Sequence, residues 1–499
     1  MSQNSALDPI QVYAQLEPRE LWRQFAALNA IPRPSGREGS ACDYVASVGE
    51  AAGATVLRDA RGNVVIQAPA TPGREGAPAV AIQAHLDMVC EARPDVTHDF
   101  LSDPIRPRVE GEWVYATGTT LGADNGIGAA AGLAALTDPT VERGPLDLIF
   151  TVEEETGLHG AAHLDPELVR ARLLINLDSE DPRELTVGCA GGSGAVLRLP
   201  VDREPVPAGW IGRELVVSGL KGGHSGVQIH ERLANSNKLL VRALERVREA
   251  GIDFRLDRLH GGNAHNAIPR DAAATLALPR EQLAALESAV AAARDEISAE
   301  WGDDEPGFAL ELRDAAEPAE PFSAADTVRA IDLLRDLPHG PLTWSQAFEG
   351  KVETSSNLAM VRTHTGILEI GTSSRSFVDA ELDRLQAEIV QRGREAGAEV
   401  ELREGYGGWE PNPGSPLLHT TASVYQQVFG RPAAVQVIHA GLECGVIASR
   451  LPGLDAISFG PRIEGAHTPE ERVQIRTVEE TWRLLQALLA ALSGEQAPG

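Results

Sequence analysis

Cysteine is scarce in this chain. Cys42, Cys90, Cys189 and Cys444 are the only four in 499 residues, they lie far apart, and none forms a CxxC pair. That argues against a thiolate zinc site and against a disulfide framework, and leaves buried free thiols as the expectation. Basic residues are also outnumbered: 44 Lys and Arg face 72 Asp and Glu, a formal charge of −28. Phosphate-backbone binding needs clustered cations, so no nucleic-acid partner is expected. No apolar run reaches 18 residues, and MSQNSALDPIQVYAQL has no basic stretch leading into an apolar one. No membrane partner is expected, and the chain reads as cytoplasmic. A GxxxxGK[ST] phosphate loop is missing. Gly126, Gly128 and Ala131 match GxGxxA, but the preceding TTLGADN is no apolar strand, which disfavours a dinucleotide site. GGHSG at 222–226 misses the GxSxG spacing, so Ser225 is not read as a nucleophile.

What the sequence does contain is a set of apolar runs that end on His or carboxylate residues. AVAIQAHLD carries His85, LDLIFTVEEE ends at Glu155, LLINLD ends at Asp178, and DAISFGPRIEGAH reaches His467 just beyond a strand. Asp124 lies in TTLGADNGIG, a glycine-rich stretch that enters the apolar segment GIGAAAGLAAL. In an open α/β sheet the carboxyl ends of parallel strands converge on one crevice, so groups distant in sequence can meet there. Five such groups at strand and loop ends suggest a two-metal hydrolase.

At 499 residues with 43% hydrophobic content, the chain is too long for one ordinary core, so two domains are expected. Its first part alternates helix-like and strand-like patterns. ALDPIQVYAQLEPRELWRQFAAL and YVASVGEAAGA have helical periodicity, TVLRDARGNVVIQAPA reads as a hairpin, and a βαβ series runs on through His85, Asp124, Glu155 and Asp178. The same style returns near the other end, in ASVYQQVFG, AAVQVIHAG, LECGVIASRL and the strand before His467. Between them the order βαββαβ occurs twice, which predicts two similar α+β units forming an inserted lid. The expected division is 1–196 and 406–499 for an α/β catalytic domain with a mostly parallel sheet, and 197–405 for the lid.

Each candidate has a plainer reading. A lone histidine at a strand end is more often structural, although in HLD the side chain of Asp87 can reach the His85 ring and fix its tautomer. Most carboxylates are merely exposed. However, Glu153, Glu154 and Glu155 beside a sheet repel one another unless cations or solvent screen them. Strand alternation puts 153 and 155 on one face and 154 on the other unless the strand ends or twists, so the spacing alone leaves open which of 153 and 155 could be a ligand. His159 and His163 have helical HxxxH spacing but no HExxH glutamate, and are read as structural.

HLDMV (85–89), GADNGIG (122–128), EEETG (153–157), NLDSED (176–181), KGGHSG (221–226), GGNAHNAIPR (261–270), HAGLECG (439–445) and GPRIEGAHTPEE (460–471) occur in this order. Together they resemble the bacterial aminoacyl-histidine dipeptidases, also called cytosol non-specific dipeptidases. These belong to the dinuclear-zinc dipeptidase, aminoacylase and carboxypeptidase G family, and the resemblance spans about residues 10 to 490. It implies a zinc-exopeptidase-like catalytic domain with two divalent ions: His85 and Asp178 on one, Glu155 and His467 on the other, Asp124 bridging. It further implies Glu154 as general base, Asp87 as the partner of His85, and His224 presented to the developing oxyanion. Arg375 would receive the substrate's terminal carboxylate and Asn266 would contact substrate. The expected activity is hydrolysis of unblocked dipeptides, including Xaa-His dipeptides such as β-alanyl-histidine. An N-acyl amino acid amidohydrolase or carboxypeptidase is the alternative on the same scaffold, and a non-catalytic metal- or peptide-binding protein the alternative of another class. Zinc is expected, with cobalt or manganese open because no thiolate discriminates. A homodimer through the lid is implied as well, although two repeats could supply the same surfaces within one chain.

Overall fold

The computed structural model describes residues 9–494. These fall into two compact units. The first takes in the described residues up to Cys189, Trp409–Val437 and those from Leu442 onward; the second is Ala190–Gly408 with Ile438–Gly441.

The first unit is built on an eight-stranded sheet with four parallel strands at its middle: Leu146–Thr151, Val80–His85, Leu173–Asn176 and Asp455–Ser458. Thr55–Arg58 and Val64–Ala68 flank them as the expected antiparallel hairpin, and Glu184–Cys189 and Ala434–Ile438 complete the other side. The sheet has the expected parallel centre but is mixed at its sides, where Val64–Ala68 and Glu184–Cys189 run antiparallel to the central strands beside them. Every residue of Val80–His85 and of Leu146–Thr151 is buried, which explains why both read as continuous apolar runs. The helix Ala123–Thr137, rich in Ala and Gly, lies on one face; a Cβ at Gly132 would meet Ile82, Leu148 and Phe150 at ordinary contact distance. The first predicted helix is two, Pro9–Tyr13 and Arg19–Asn29, because Pro18 cannot continue one; its residues 6–8 lie outside those described. A small sheet of Pro107–Glu110, Trp113–Ala116, Ile463–Glu464 and Arg472–Gln474 leads to His467.

The second unit is a nine-stranded sheet carrying the two βαββαβ repeats. One runs continuously through Trp210–Ser218, Ser236–Glu249, Arg255–Gly261, Ala272–Pro279, Leu283–Trp301 and Ala309–Ala315. The other is interrupted. Its opening strand, Gly191–Pro200, precedes the whole first repeat, and the remainder is Ala324–Asp336, Val352–His364, Ile367–Ser376, Asp379–Glu395 and Glu399–Leu402. The repeats join through their second strands, with His260 opposite Arg362 and Gly261 opposite Val361. Their helices bury one continuous apolar core that includes Leu197, Leu244, Leu276, Ile297, Leu334 and Ile389.

Candidate metal centre and a second polar cluster

In the first unit the parallel strands deliver their polar residues to one end. His85 is the last residue of its strand and is 1% exposed. Its Nε2 lies 3.1 Å from Asp124 Oδ1 and 3.5 Å from Asp178 Oδ1, and its Nδ1 faces the Asp87 carbonyl at 3.1 Å. Asp124 turns its other oxygen to His467 Nε2, also at 3.1 Å, and that nitrogen is 3.1 Å from Glu155 Oε2. His85, Asp124 and Glu155 each place a ligand atom within 4.8 Å of the others. His85, Asp124, Glu155, Asp178 and His467 are thus brought together.

The acidic triplet lies beyond its strand, which ends at Thr151, so strand alternation no longer governs it. Glu153 takes a positive φ of 53°, donates its N–H to Glu38 and pairs with Arg61. Glu155 is the one that faces His467. Asp87 holds this turn in place: its carboxylate accepts the N–H groups of Glu154 at 3.0 Å and Glu155 at 3.1 Å, and the Ser35 hydroxyl at 2.7 Å. His159 and His163 stay outside the cluster, with His163 Nδ1 facing the His159 carbonyl.

Three supports were not assigned a role from sequence. Glu471, 2% exposed, accepts the N–H groups of Leu121, Gly122, Ala123 and Asp124 at 2.7–3.2 Å and so fixes the segment carrying Asp124. Arg33, fully enclosed, donates to the carbonyls of Leu86, Asp87 and Gly122, tying the same segment to the HLD turn. Glu443 is 0% exposed and accepts from Gln83 and Thr151. Glu443 and Glu471 fall inside the HAGLECG and GPRIEGAHTPEE motifs, but their partners are distant backbone or buried side chains that spacing does not reveal.

The electrostatics suit cations. Burial works against charge on His85, yet Asp178, Asp124 and Asp87 raise its pKa well above the ordinary value. Hydrogen bonds that its Nε2–H donates to Asp124 and Glu155 push His467 up to about 11. Burial lifts Asp178 to about 6, and burial with neighbouring carboxylates lifts Glu154 well above its usual range. This excess of negative charge is what divalent ions would neutralise. Glu155 Oε1 and Asp178 Oδ1 are moreover buried without a hydrogen-bond partner, so the donor set fits an oxygen- and nitrogen-ligated metal.

The second unit has a polar cluster of its own. The strand pair Gly223–His224 and Ala267–Ile268 sets His224 opposite Ala267, and Ser225 donates its N–H to the Asn266 carbonyl at 2.8 Å. His224 Nδ1 accepts the N–H groups of Gly226 and Val227, both at 3.1 Å. The ring proton must then sit on Nε2. Burial, then Arg375 and His265, lower the His224 pKa to about 4, so the ring is neutral at pH 7. Arg375 is 9% exposed; its Nη1 donates to the Tyr406 hydroxyl at 3.0 Å, and its Nε has no acceptor. Gly226 makes the close approach possible, since a Cβ there would come within 2.9 Å of the His224 ring and 3.1 Å of Arg375 Nε.

Comparison with known proteins fits this geometry. The family model for peptidase family M20/M25/M40 matches residues 81–491. The chain is 42% identical over 476 residues to the cytosol non-specific dipeptidase of Escherichia coli (strain K12), covering 95% of this chain and 98% of that protein. The crystal structure of aminoacylhistidine dipeptidase from Vibrio alginolyticus superposes with a TM-score of 0.89 at 39% identity, over 96% of this chain and 97% of that one. Aminopeptidase PepT from Bacillus cereus, at 16% identity and a TM-score of 0.54 over 96% of this chain and 100% of its own, shares the fold.

Proposed function

Because the chain belongs to peptidase family M20/M25/M40, we propose that it hydrolyses unblocked dipeptides, Xaa-His dipeptides among them, with two divalent metal ions. The observation that carries this reading is Asp124, whose two oxygens each face a different histidine at 3.1 Å, as a bridging ligand would. His85 and Asp178 would hold one ion, and Glu155 and His467 the other. Zinc is our assignment, and cobalt and manganese suit the same donors. When bound, such a pair lowers the pKa of water and polarises the scissile carbonyl.

The chain's own residues divide the remaining work. Glu154, pinned through its N–H to Asp87, takes the proton of the attacking water and passes it to the leaving amine, a role worth roughly 10²–10⁴ in rate. Burial and neighbouring carboxylates raise the Glu154 pKa, and two bound cations would favour the ionised form that a base needs. Neutral His224 offers Nε2–H to the oxyanion. Arg375, with donors to spare, receives the terminal carboxylate in its planar fork, and Asn266, next to the strand that pairs with His224, contacts substrate. We place the enzyme in the cytoplasm; among the described residues no helix is long and apolar enough to cross a membrane. The implied dimer through the second unit would need a surface other than the second-strand edges, which the two repeats pair with each other.

The test is hydrolysis of β-alanyl-histidine, Ala-Ala and an N-acetylated amino acid by metal-stripped protein, before and after adding zinc, cobalt or manganese. Metal-dependent cleavage of the free dipeptides alone is expected. Selective deacylation would replace this reading with an amidohydrolase, and tight metal binding without turnover would make the protein a binder.

A further inference from the structure

Within the second unit, Arg375, Arg403, His265, Ser373, Tyr406 and Glu404 line one cavity of about 150 Å³. At roughly 30 Å³ per water it has room for about five waters, the size of a short polar side chain. Its charge runs against the rest of the molecule. In a chain of net charge −28 it gathers two guanidinium groups against one carboxylate, the exposed Glu404. Neither arginine makes an ion pair among the described residues. Arg375 spends one of its donors on Tyr406 and buries Nε without an acceptor. The Arg403 stem runs past Gly194, where a Cβ would come within 3.5 Å of its Cδ. His265 senses both cations: after burial, Arg403 and Arg375 are what lower its pKa, so it stays a neutral hydrogen-bonding group.

One terminal carboxylate needs only Arg375. We propose that Arg403, with His265 and Ser373, forms a second anion seat that takes a carboxylate side chain on the C-terminal residue, making Xaa-Asp and Xaa-Glu dipeptides a favoured substrate class. This rests on the dipeptidase reading above. An amide side chain of the same shape presents an NH₂ to a wall of donors and loses the charge-assisted bonds, a difference of roughly tenfold. Arg403 is exposed, so added salt weakens the preference.

The experiment compares kcat/KM of the metal-loaded full-length protein on Ala-Glu and Ala-Gln, and on Ala-Asp and Ala-Asn. The native chain is expected to favour at least one acid over its amide by about tenfold at low salt. Arg403→Gln should bring that ratio to about one, and Arg403→Glu should invert it. Equal turnover of acid and amide by the native chain, or a preference that survives Arg403→Gln, overturns the seat while leaving the dipeptidase reading standing. Failure to cleave any of the four overturns both.

Discussion

Asp87 is 0% exposed, and its one carboxylate holds both the turn carrying Glu154 and Glu155 and, with its own carbonyl, the ring of His85. Burial opposes its charge, but His85, Ser35 and the Glu154 N–H hold its pKa down to about 2. Asp87→Asn keeps the shape and removes an acceptor, so one of these donors faces an NH₂ instead. Metal affinity should fall by about 10–100-fold, read by competition with a chelator. Glu154→Gln is expected to separate binding from chemistry: metal content unchanged by elemental analysis, kcat lower by roughly 10²–10⁴. That His85, Glu155 and Asp178 lie near one another was legible because buried parallel strands announce themselves as apolar runs, and a polar residue at or just past the end of such a run sits at the strand's carboxyl end. The choice between Glu153 and Glu155 was not legible, because it depends on a positive φ past the end of the strand.

Among the elements, the segment Leu121–Asp124 depends on Glu471. Burial raises that carboxyl to about 7 against four N–H donors, and two donors on each oxygen are what the ionised form accommodates. Glu471→Gln leaves two N–H groups facing an amide nitrogen, a loss on the order of 2–6 kcal/mol. Lower unfolding temperature and weaker metal retention should appear together, by scanning calorimetry and chelator competition, since Asp124 ends this segment. Most strands and helices of the second unit were readable from periodicity, but the strand Gly191–Pro200 was not. Its Gly191, Gly192 and Gly194 interrupt a strand pattern for a packing reason: a Cβ at Gly191 would lie 2.5 Å from the Gly408 nitrogen, and one at Gly192 would lie 2.8 Å from the Tyr406 ring. Because that strand precedes the whole first repeat, the order of elements along the chain did not show that it opens the second.

For the whole molecule, buried neutral histidines tie stability to pH. Burial, and then Arg375, lower His439 to about 3, while its Nε2 sits 2.7 Å from the Ser355 hydroxyl. The folded pKa lies below the ordinary 6.5, so the stabilisation is complete above pH 6.5 and is lost as pH falls from there towards 3. Between pH 6.5 and 5 this one group accounts for about 2 kcal/mol. Urea titrations at pH 7 and pH 5 should show the native chain losing more stability than His439→Asn over that interval; equal losses would remove His439 as the cause.

The interrupted repeat also sets a timetable for synthesis. Strand Gly191–Pro200 pairs with Ile367–Ser376, which leaves the ribosome about 170 residues later, roughly 10–30 s at about 5–20 residues per second. The repeat spanning Trp210–Ala315 has all its own strands in hand well before then. A nascent chain that has emerged as far as residue 320 therefore carries one complete repeat and one waiting strand, whose ladder groups are open to a chaperone or to a neighbouring nascent chain until its partner emerges.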